Sequence, residues 1–245
     1  MAAAADLKGK TALVVGGTGG IGRAVVLEIA RLGAGLIIHG GHNREKGERL
    51  VERVRSSGVQ ASLVMQEIRS LEDAEVLGVA SETVDILICA FGPYLQASLA
   101  GMNMADWSYL TGLNLALPGY LVSRALSGMS RRDYGRIVLF GATGGDTMRG
   151  YTTVAAYSAA KIGLGVLAKS VARGYGAKNI TCNVVTPGYV DTEYITDEQR
   201  TEWTSRSRTR RLQQPEQIGR FVAEMICAGG DLINGAIIDL SAGMI

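Results

Sequence analysis

The sequence predicts a single α/β domain, a doubly wound parallel sheet of about seven strands with helices on both faces. Three observations carry that expectation. Short apolar runs alternate with helical periodicity from Thr11 to Leu240, as successive strand–helix–strand units do. A glycine cluster, Gly16-Gly17-Thr18-Gly19-Gly20-Ile21-Gly22, lies between the first run and the first helical pattern. One run, Val84–Ala90 (VDILICA), is apolar without alternation, which suits a strand covered on both faces. At 245 residues and 47% hydrophobic, the chain can bury the core of one such domain. No linker, internal repeat or low-complexity block divides it.

The elements follow in order. Thr11–Val15 is the first strand, and the glycine cluster leads into a helix through Leu32. Strand, glycine loop and helix in that order make a phosphate-binding turn: glycines allow close backbone approach and the helix N-terminus faces the anion. Gly9-Lys10-Thr11 looks like the end of a P-loop but precedes the strand, which excludes a nucleoside triphosphatase. Leu36–His39 is the second strand, with a helix to Ser57 after it. In a dinucleotide-binding fold this strand ends at the adenosine ribose, where an acid selects NAD and basic residues accommodate the 2′-phosphate of NADP. No acid occupies the turn before Glu45, whereas His42, Asn43, Arg44 and Lys46 offer donors and positive charge, so NADP(H) is favoured over NAD(H).

Ala61–Met65 is the third strand, running into Gln66-Glu67-Ile68, and Leu71–Ser81 is a short helix. Val84–Ala90 turns at Phe91-Gly92-Pro93. A long helical region covers Met104 to Met129, with a break expected near Pro118. Asn114 sits inside it between Leu113 and Leu115, and a buried amide there needs partners. Gly135–Phe140 is the fifth strand, closed by Gly141-Ala142-Thr143-Gly144-Gly145. Ala155–Leu164 begins a long, mostly buried helix that continues past Val171. Tyr157 and Lys161 are i and i+4 on it, so they share one face. A free tyrosine titrates near ~10 and a cation one turn away favours the phenolate, so this spacing is expected to lower the Tyr157 pKa and make a tuned acid/base. Ile180–Val185 is the sixth strand, stopped by Thr186-Pro187-Gly188. The polar segment at about 189–212, with Trp203 and two tyrosines, reads as a mobile substrate lid. Pro215–Cys227 is a helix and Gly235–Leu240 the last strand.

Charge and cysteine usage exclude several classes. A net charge of +2, with acids and bases interspersed, leaves no nucleic-acid footprint. Cys89, Cys182 and Cys227 are scattered singly and, with only His39 and His42, form no metal-like spacing. The start Met-Ala-Ala-Ala-Ala-Asp has no signal-peptide pattern, and no apolar run approaches the ~20 residues that span a bilayer. The expectation is a soluble cytoplasmic protein with no metal and no membrane partner.

Taken together, these motifs resemble the short-chain dehydrogenase/reductase family, from about Asp6 to Met244. The family's TGxxxGxG loop is similar to Val15–Gly22, with Val15 in place of Thr; its YxxxK motif is Tyr157–Lys161; its catalytic Asn is Asn114; its PG motif is Pro187-Gly188, followed by Asp191-Thr192. Ile180–Gly188 and Pro215-Glu216-Gln217-Ile218 look most like the 3-oxoacyl-(acyl-carrier-protein) reductase branch. The resemblance implies a Rossmann-type fold and an NADPH-dependent reductase of a ketone, such as a 3-oxoacyl thioester or similar β-keto compound. Tyr157 would be the general acid, Lys161 would hold the nicotinamide ribose and lower the Tyr pKa, and Asn114 would anchor a proton-relaying water. The cofactor would lie on Gly16, Thr18, Gly20, Ile21 and Gly22, with His42, Asn43 and Arg44 at the ribose and Glu67 with Ile68 at the adenine. Ala90, Gly92, Pro187, Gly188, Val190 and Thr192 would complete its site with Tyr157 and Lys161. Acyl carrier protein is a further candidate partner, with Arg131, Arg132 and Lys178 at the matching positions. A homo-oligomer, tetramer or dimer, is also implied, and the apolar end Ser241–Ile245 is compatible with it.

Two departures matter. The family's NNAG reads Cys89-Ala90-Phe91-Gly92. The serine that hydrogen-bonds the substrate carbonyl falls on Ala142 by motif and near Gly144 by distance, and Thr143 between them is the candidate replacement, with Tyr151 as another donor. One such donor can contribute ~10²–10³ in rate. Its loss leaves two other functions open: reduction of an enoyl thioester or another carbonyl/alcohol exchange, and a non-catalytic NADP-binding regulator or scaffold.

Overall fold

Strand β1 (Thr11–Val15) is the strand from which the sheet grows in both directions. The computed structural model describes residues 6–228 and 232–243. On one side β1 pairs with β2 (Gly35–Gly40), which pairs with β3 (Ala61–Met65). On the other it pairs with β4 (Ile86–Cys89), followed by β5 (Gly135–Phe140), β6 (Ile180–Pro187) and β7 (Ile237–Leu240). All pairs are parallel, and the seven-stranded order is β3-β2-β1-β4-β5-β6-β7. The chain winds outward to β3 and then crosses back to β4. That reversal opens a crevice at the carboxyl ends of β1 and β4, the place where such sheets bind ligands.

Two apolar cores close the faces. On one, α1 (Gly20–Arg31), α2 (Arg44–Ser56) and α8 (Pro215–Ala228) bury Val25, Ile29, Leu50, Val54, Ile218 and Val222 against Val14, Ile38 and Ile88. On the other, α3 (Glu75–Ser81), α5 (Leu117–Arg132) and α6 (Ala155–Tyr175) pack Leu77, Leu121, Met129 and Leu164 against Leu13, Leu87 and Ile137. Alternate residues of β1 and β4 thus serve opposite cores, which is why neither strand shows polar alternation.

The long helix expected at Met104–Met129 is divided. α4 (Met104–Thr111) opens with a capping box of Asn103 and Asp106, and a π-helical turn at Gly112–Ala116 joins it to α5. Pro118 has no N–H to close a bond onto the carbonyl four residues back, and the wider turn falls on that stretch. The lid segment holds a helix that the sequence analysis did not anticipate, α7 (Asp197–Arg206), started by a Thr196–Gln199 capping box. The segment is tied at its base by backbone hydrogen bonds between Tyr189 or Asp191 and Gln213. Among the described residues no helix is long and apolar enough to cross a membrane, and no group of three His, Cys, Asp or Glu could hold a metal. The N-terminal Met1–Ala5 and the apolar end at Met244 and Ile245 lie outside the described residues.

Candidate active site

The glycine loop is shaped by contacts that exclude side chains. Gly16 has φ +78°, and a Cβ there would lie 2.9 Å from the Ala90 carbonyl oxygen. A Cβ on Gly22 would stand 2.2 Å from the Gly16 carbonyl oxygen, so α1 can start only where this residue is glycine. The Gly16 N–H donates to Nδ1 of His39 at 3.1 Å, and Nε2 of His39 donates to the Gln66 carbonyl at 2.8 Å. The ring is therefore the neutral Nε2–H tautomer, and burial lowers its pKa. His39 is a wedge under the loop that the sequence analysis placed only as a strand residue.

Above the loop runs a cleft of about 520 Å³ lined by Gly16, Thr18, Gly20, Ile21, His42, Glu67, Ile68, Ala90, Gly92 and Thr192. The start of α1, which no side chain caps from Gly19, turns backbone N–H groups of the kind a diphosphate takes toward this cleft. The loop already holds an anion. Both carboxylate oxygens of Glu193 accept the Gly20 N–H at 3.2 Å, and the same carboxylate pairs with Lys46. Burial would raise the Glu193 pKa, but Lys46 and the backbone N–H groups hold it below the usual carboxylate range. The Tyr194 ring lies on Gly20, and its hydroxyl takes the space a Cβ on Gly19 would need. Neither residue was anticipated, because both are distant in sequence from the loop they cover.

At the ribose end two of the expected residues have other work. The Asn43 side chain caps α2 by accepting the Lys46 N–H at 2.9 Å, and Arg44 lies 3.6 Å from Glu48 one turn along the same helix. Neither is among the residues that line the cleft. His42 does line it, joined by Arg69, and both reach the Glu67 carboxylate, at 3.7 Å and 2.5 Å. Arg69 was missed, although it is the first cation after the Gln66-Glu67-Ile68 turn.

Cleft and acid meet in a smaller recess lined by Ala90, Gly92, Thr143, Tyr157, Lys161, Pro187, Gly188, Val190 and Thr192. Lys161 is buried and donates from Nζ to the Phe140 carbonyl at 2.8 Å, with Nζ 5.9 Å from the Tyr157 ring centroid. Burial pushes its pKa down to about 8. Tyr157 moves the other way, pushed up to about 12 by burial and then by Tyr94, whose ring meets it edge-on at 5.2 Å. The expected lowering is therefore not what the structure gives: burial, which disfavours the phenolate, sets the direction. Asn114 donates from Nδ2 to the Pro93 carbonyl at 2.9 Å, while its buried Oδ1 has no hydrogen-bond partner among the described residues. A Cβ on Gly92 would lie 2.2 Å from that oxygen and 3.0 Å from Lys161 Nζ, so the glycine keeps a narrow passage between them.

Thr143, the candidate replacement for the missing serine, is turned to another partner. Its hydroxyl donates to the Pro187 carbonyl at 2.8 Å, which commits the only proton it has. Ala142 is buried and offers no donor. Next to Tyr157 lies a second cavity of about 540 Å³, walled by tyrosines and by Trp203, which stacks on Tyr189 at 4.9 Å. Arg132 is likewise not free for a partner: it donates to Asp85 Oδ1 at 2.9 Å and to the Val84 carbonyl, and Lys178 pairs with Asp133 at 2.9 Å. Of the three cations proposed to meet a carrier protein, Arg131 alone has no acidic partner among the described residues, donating instead to Ser127.

Comparison with known proteins gives this geometry a context. Residues 10–203 match the family model described as short chain dehydrogenase. The chain is 30% identical to a 3-oxoacyl-(acyl-carrier-protein) reductase of Pseudomonas aeruginosa, covering 98% of each. It is 32% identical to the reductase of that name from Vibrio cholerae, again over 98% of each. A 3-oxoacyl-(acyl-carrier-protein) reductase structure from Agrobacterium tumefaciens with NADP bound superposes with a TM-score of 0.88 at 27% identity, over 97% of this chain and 95% of that one. A short-chain dehydrogenase/reductase from Serratia marcescens gives 0.86 at 26% identity, over 96% and 99%. The chain belongs to the short-chain dehydrogenase/reductase family and is an NAD(P)-dependent oxidoreductase.

Proposed function

We propose that the protein reduces a ketone with NADPH, and that its substrate is a 3-oxoacyl thioester or a similar β-keto compound. The observation that carries this reading is the recess lined by Tyr157 and Lys161, which shares Ala90, Gly92 and Thr192 with the dinucleotide cleft and Tyr157 with the aromatic cavity. Bound NADPH supplies the hydride. The glycine loop and the start of α1 would hold the diphosphate, and Arg69, paired with Glu67 at the ribose end of the cleft, is a guanidinium that supports NADP(H) over NAD(H).

Tyr157 keeps its proton at neutral pH, because its pKa stands near 12, and gives it to the carbonyl oxygen as negative charge develops there. Lys161, with a pKa near 8, is mostly an ammonium at neutral pH and stabilises the phenolate that results. The unpartnered Oδ1 of Asn114, across Gly92 from Lys161, suits a water that returns a proton through the ammonium. Segment 189–212 closes over the substrate as a lid. An acyl carrier protein would meet Arg131 rather than Arg132. Association into a homo-oligomer would cover Val166, which is 70% exposed in the middle of α6.

Steady-state oxidation of NADPH with acetoacetyl thioester tests the reading, and full activity in Tyr157→Phe would sink the assigned acid. Ala142 and the engaged hydroxyl of Thr143 favour one second reading, reduction of an enoyl thioester, which relies less on a carbonyl-polarising donor. Crotonyl thioester run beside acetoacetyl thioester separates the two.

A further inference from the structure

The aromatic cavity beside Tyr157 contains one charged side chain, Arg149. This guanidinium is positioned: its Nε donates to the Tyr151 hydroxyl at 3.0 Å, and its planar group lies 5.2 Å from the Tyr151 ring centroid. A terminal nitrogen reaches the Thr143 carbonyl only at 3.5 Å, and no carboxylate pairs with it among the described residues. Gly144, at φ +68°, makes room for it, since a Cβ there would lie 2.1 Å from a guanidinium nitrogen. Tyr151 in turn has only a long contact, 3.4 Å, for its own proton on the Gly144 carbonyl. Arg149 is exposed and Tyr151 half-buried at the cavity's edge, and both keep N–H or O–H groups that could turn to a ligand held beside Tyr94, Tyr157, Tyr189 and Trp203.

Ala142 and Thr143 leave the reacting carbonyl with Tyr157 as its donor, so orientation of the substrate has to come from elsewhere in the cavity. We propose that Arg149 and Tyr151, which line the same cavity as Tyr157, form a specificity-determining pair that binds a second oxygen function of the substrate. This rests on the reading of carbonyl reduction at Tyr157. A thioester carbonyl and a carboxylate share the required acceptor chemistry, and a guanidinium can take either, binding the carboxylate through two parallel N–H groups.

The test compares acetoacetate, an acetoacetyl thioester and cyclohexanone with wild-type protein, Arg149→Gln, Arg149→Lys and Tyr151→Phe. Turnover is followed by NADPH oxidation, and binding in the presence of NADP⁺ by tryptophan fluorescence in a Trp107→Phe background, which leaves Trp203 as the reporter. Losing a charge-assisted hydrogen bond is expected to lower the preference for the dicarbonyl compounds over cyclohexanone in Arg149→Gln by about tenfold, through KM rather than kcat. Arg149→Lys recovers part of it, and Tyr151→Phe shows a smaller loss. A larger loss on acetoacetate identifies the carboxylate as the group bound, and a larger loss on the thioester identifies its carbonyl; either supports the pair. An equal loss on all three compounds marks Arg149 as a support of the loop and overturns the proposal. If wild-type protein turns over none of the three, carbonyl reduction fails as the function, and the binding arm still decides. Dicarbonyl binding that Arg149→Gln weakens sustains the pair; dicarbonyl binding that it leaves unchanged, or none in wild type, overturns it.

Discussion

Glu193 is expected to oppose the cofactor. Its carboxylate lies on the Gly20 N–H at the start of α1, where a dinucleotide diphosphate would take the same donor, so binding has to displace it. The size of the opposition follows from its two contacts. A carboxylate at a helix N-terminus contributes about 0.3–1 kcal/mol. The Lys46 pair adds a few tenths, discounted because the side chains are 30% and 40% exposed and solvent screens them. The sum is about 1 kcal/mol, which corresponds to roughly fivefold in affinity. Glu193→Gln keeps the side chain's size and removes its charge, so it should tighten NADPH binding by about that factor, with the gain shrinking as salt is added. Isothermal titration of NADPH into both proteins at two ionic strengths measures it. Unchanged or weaker binding in the variant would refute the reasoning, and would make Glu193 a residue that the bound state also uses.

Lys161 sets a pH limit: its ammonium is present below about 8 and lost above it, so kcat/KM for reduction should fall on the alkaline side of about pH 8, as a pH–rate profile would show. His39 carries a depressed pKa in the fold, so as pH drops below ~6.5 the unfolded chain takes up a proton that the folded one resists; this contribution to stability is present above that pH and lost below it. Denaturant midpoints at pH 7.5 and 5.5 should differ less in His39→Ala than in the wild type. The same substitution leaves the Gly16 N–H unpartnered and should cost about 1–3 kcal/mol at neutral pH. Arg132→Ala should cost about 2 kcal/mol by leaving the buried Asp85 short of its cation, seen as a lower Tm. Gly92→Ala should reduce turnover at least tenfold while the protein still folds, because the added methyl would meet Asn114 Oδ1 and Lys161 Nζ before it met the core.

What the sequence made legible was local. Strand runs, the glycine cluster and the i,i+4 relation of Tyr157 to Lys161 are all decided within a few residues, and the sheet has the expected seven parallel strands. What it hid depends on partners far along the chain. The hydroxyl of Thr143 looked available until Pro187, 44 residues later, was seen to take its proton. Glu193 reaches a loop 173 residues earlier, and no pattern near Gly20 announces it. Asn43 and Arg44 show the converse: their helix-opening position already offered a structural reading, because Asn at an N-cap and Arg four residues before Glu are ordinary helix chemistry.

The Tyr157 pKa is the most instructive of these reversals. Spacing alone places a cation near the phenol, but spacing carries no information on burial. Here the helix that brings the pair together also takes both out of water, and desolvation shifts the phenol up and the amine down. Each shift favours the neutral form. A neutral phenol is the form a carbonyl reduction needs from its acid, whereas an oxidation of the alcohol would need the phenolate as base. On the proposed roles of the two residues, then, reduction is the direction expected to be better served at neutral pH. The pH dependence of the two directions measures this: reduction should hold its rate down through neutrality, and oxidation should rise as pH increases from 7 toward 9. A reverse reaction already at its plateau at pH 7 would show that the phenol titrates far below where burial alone places it.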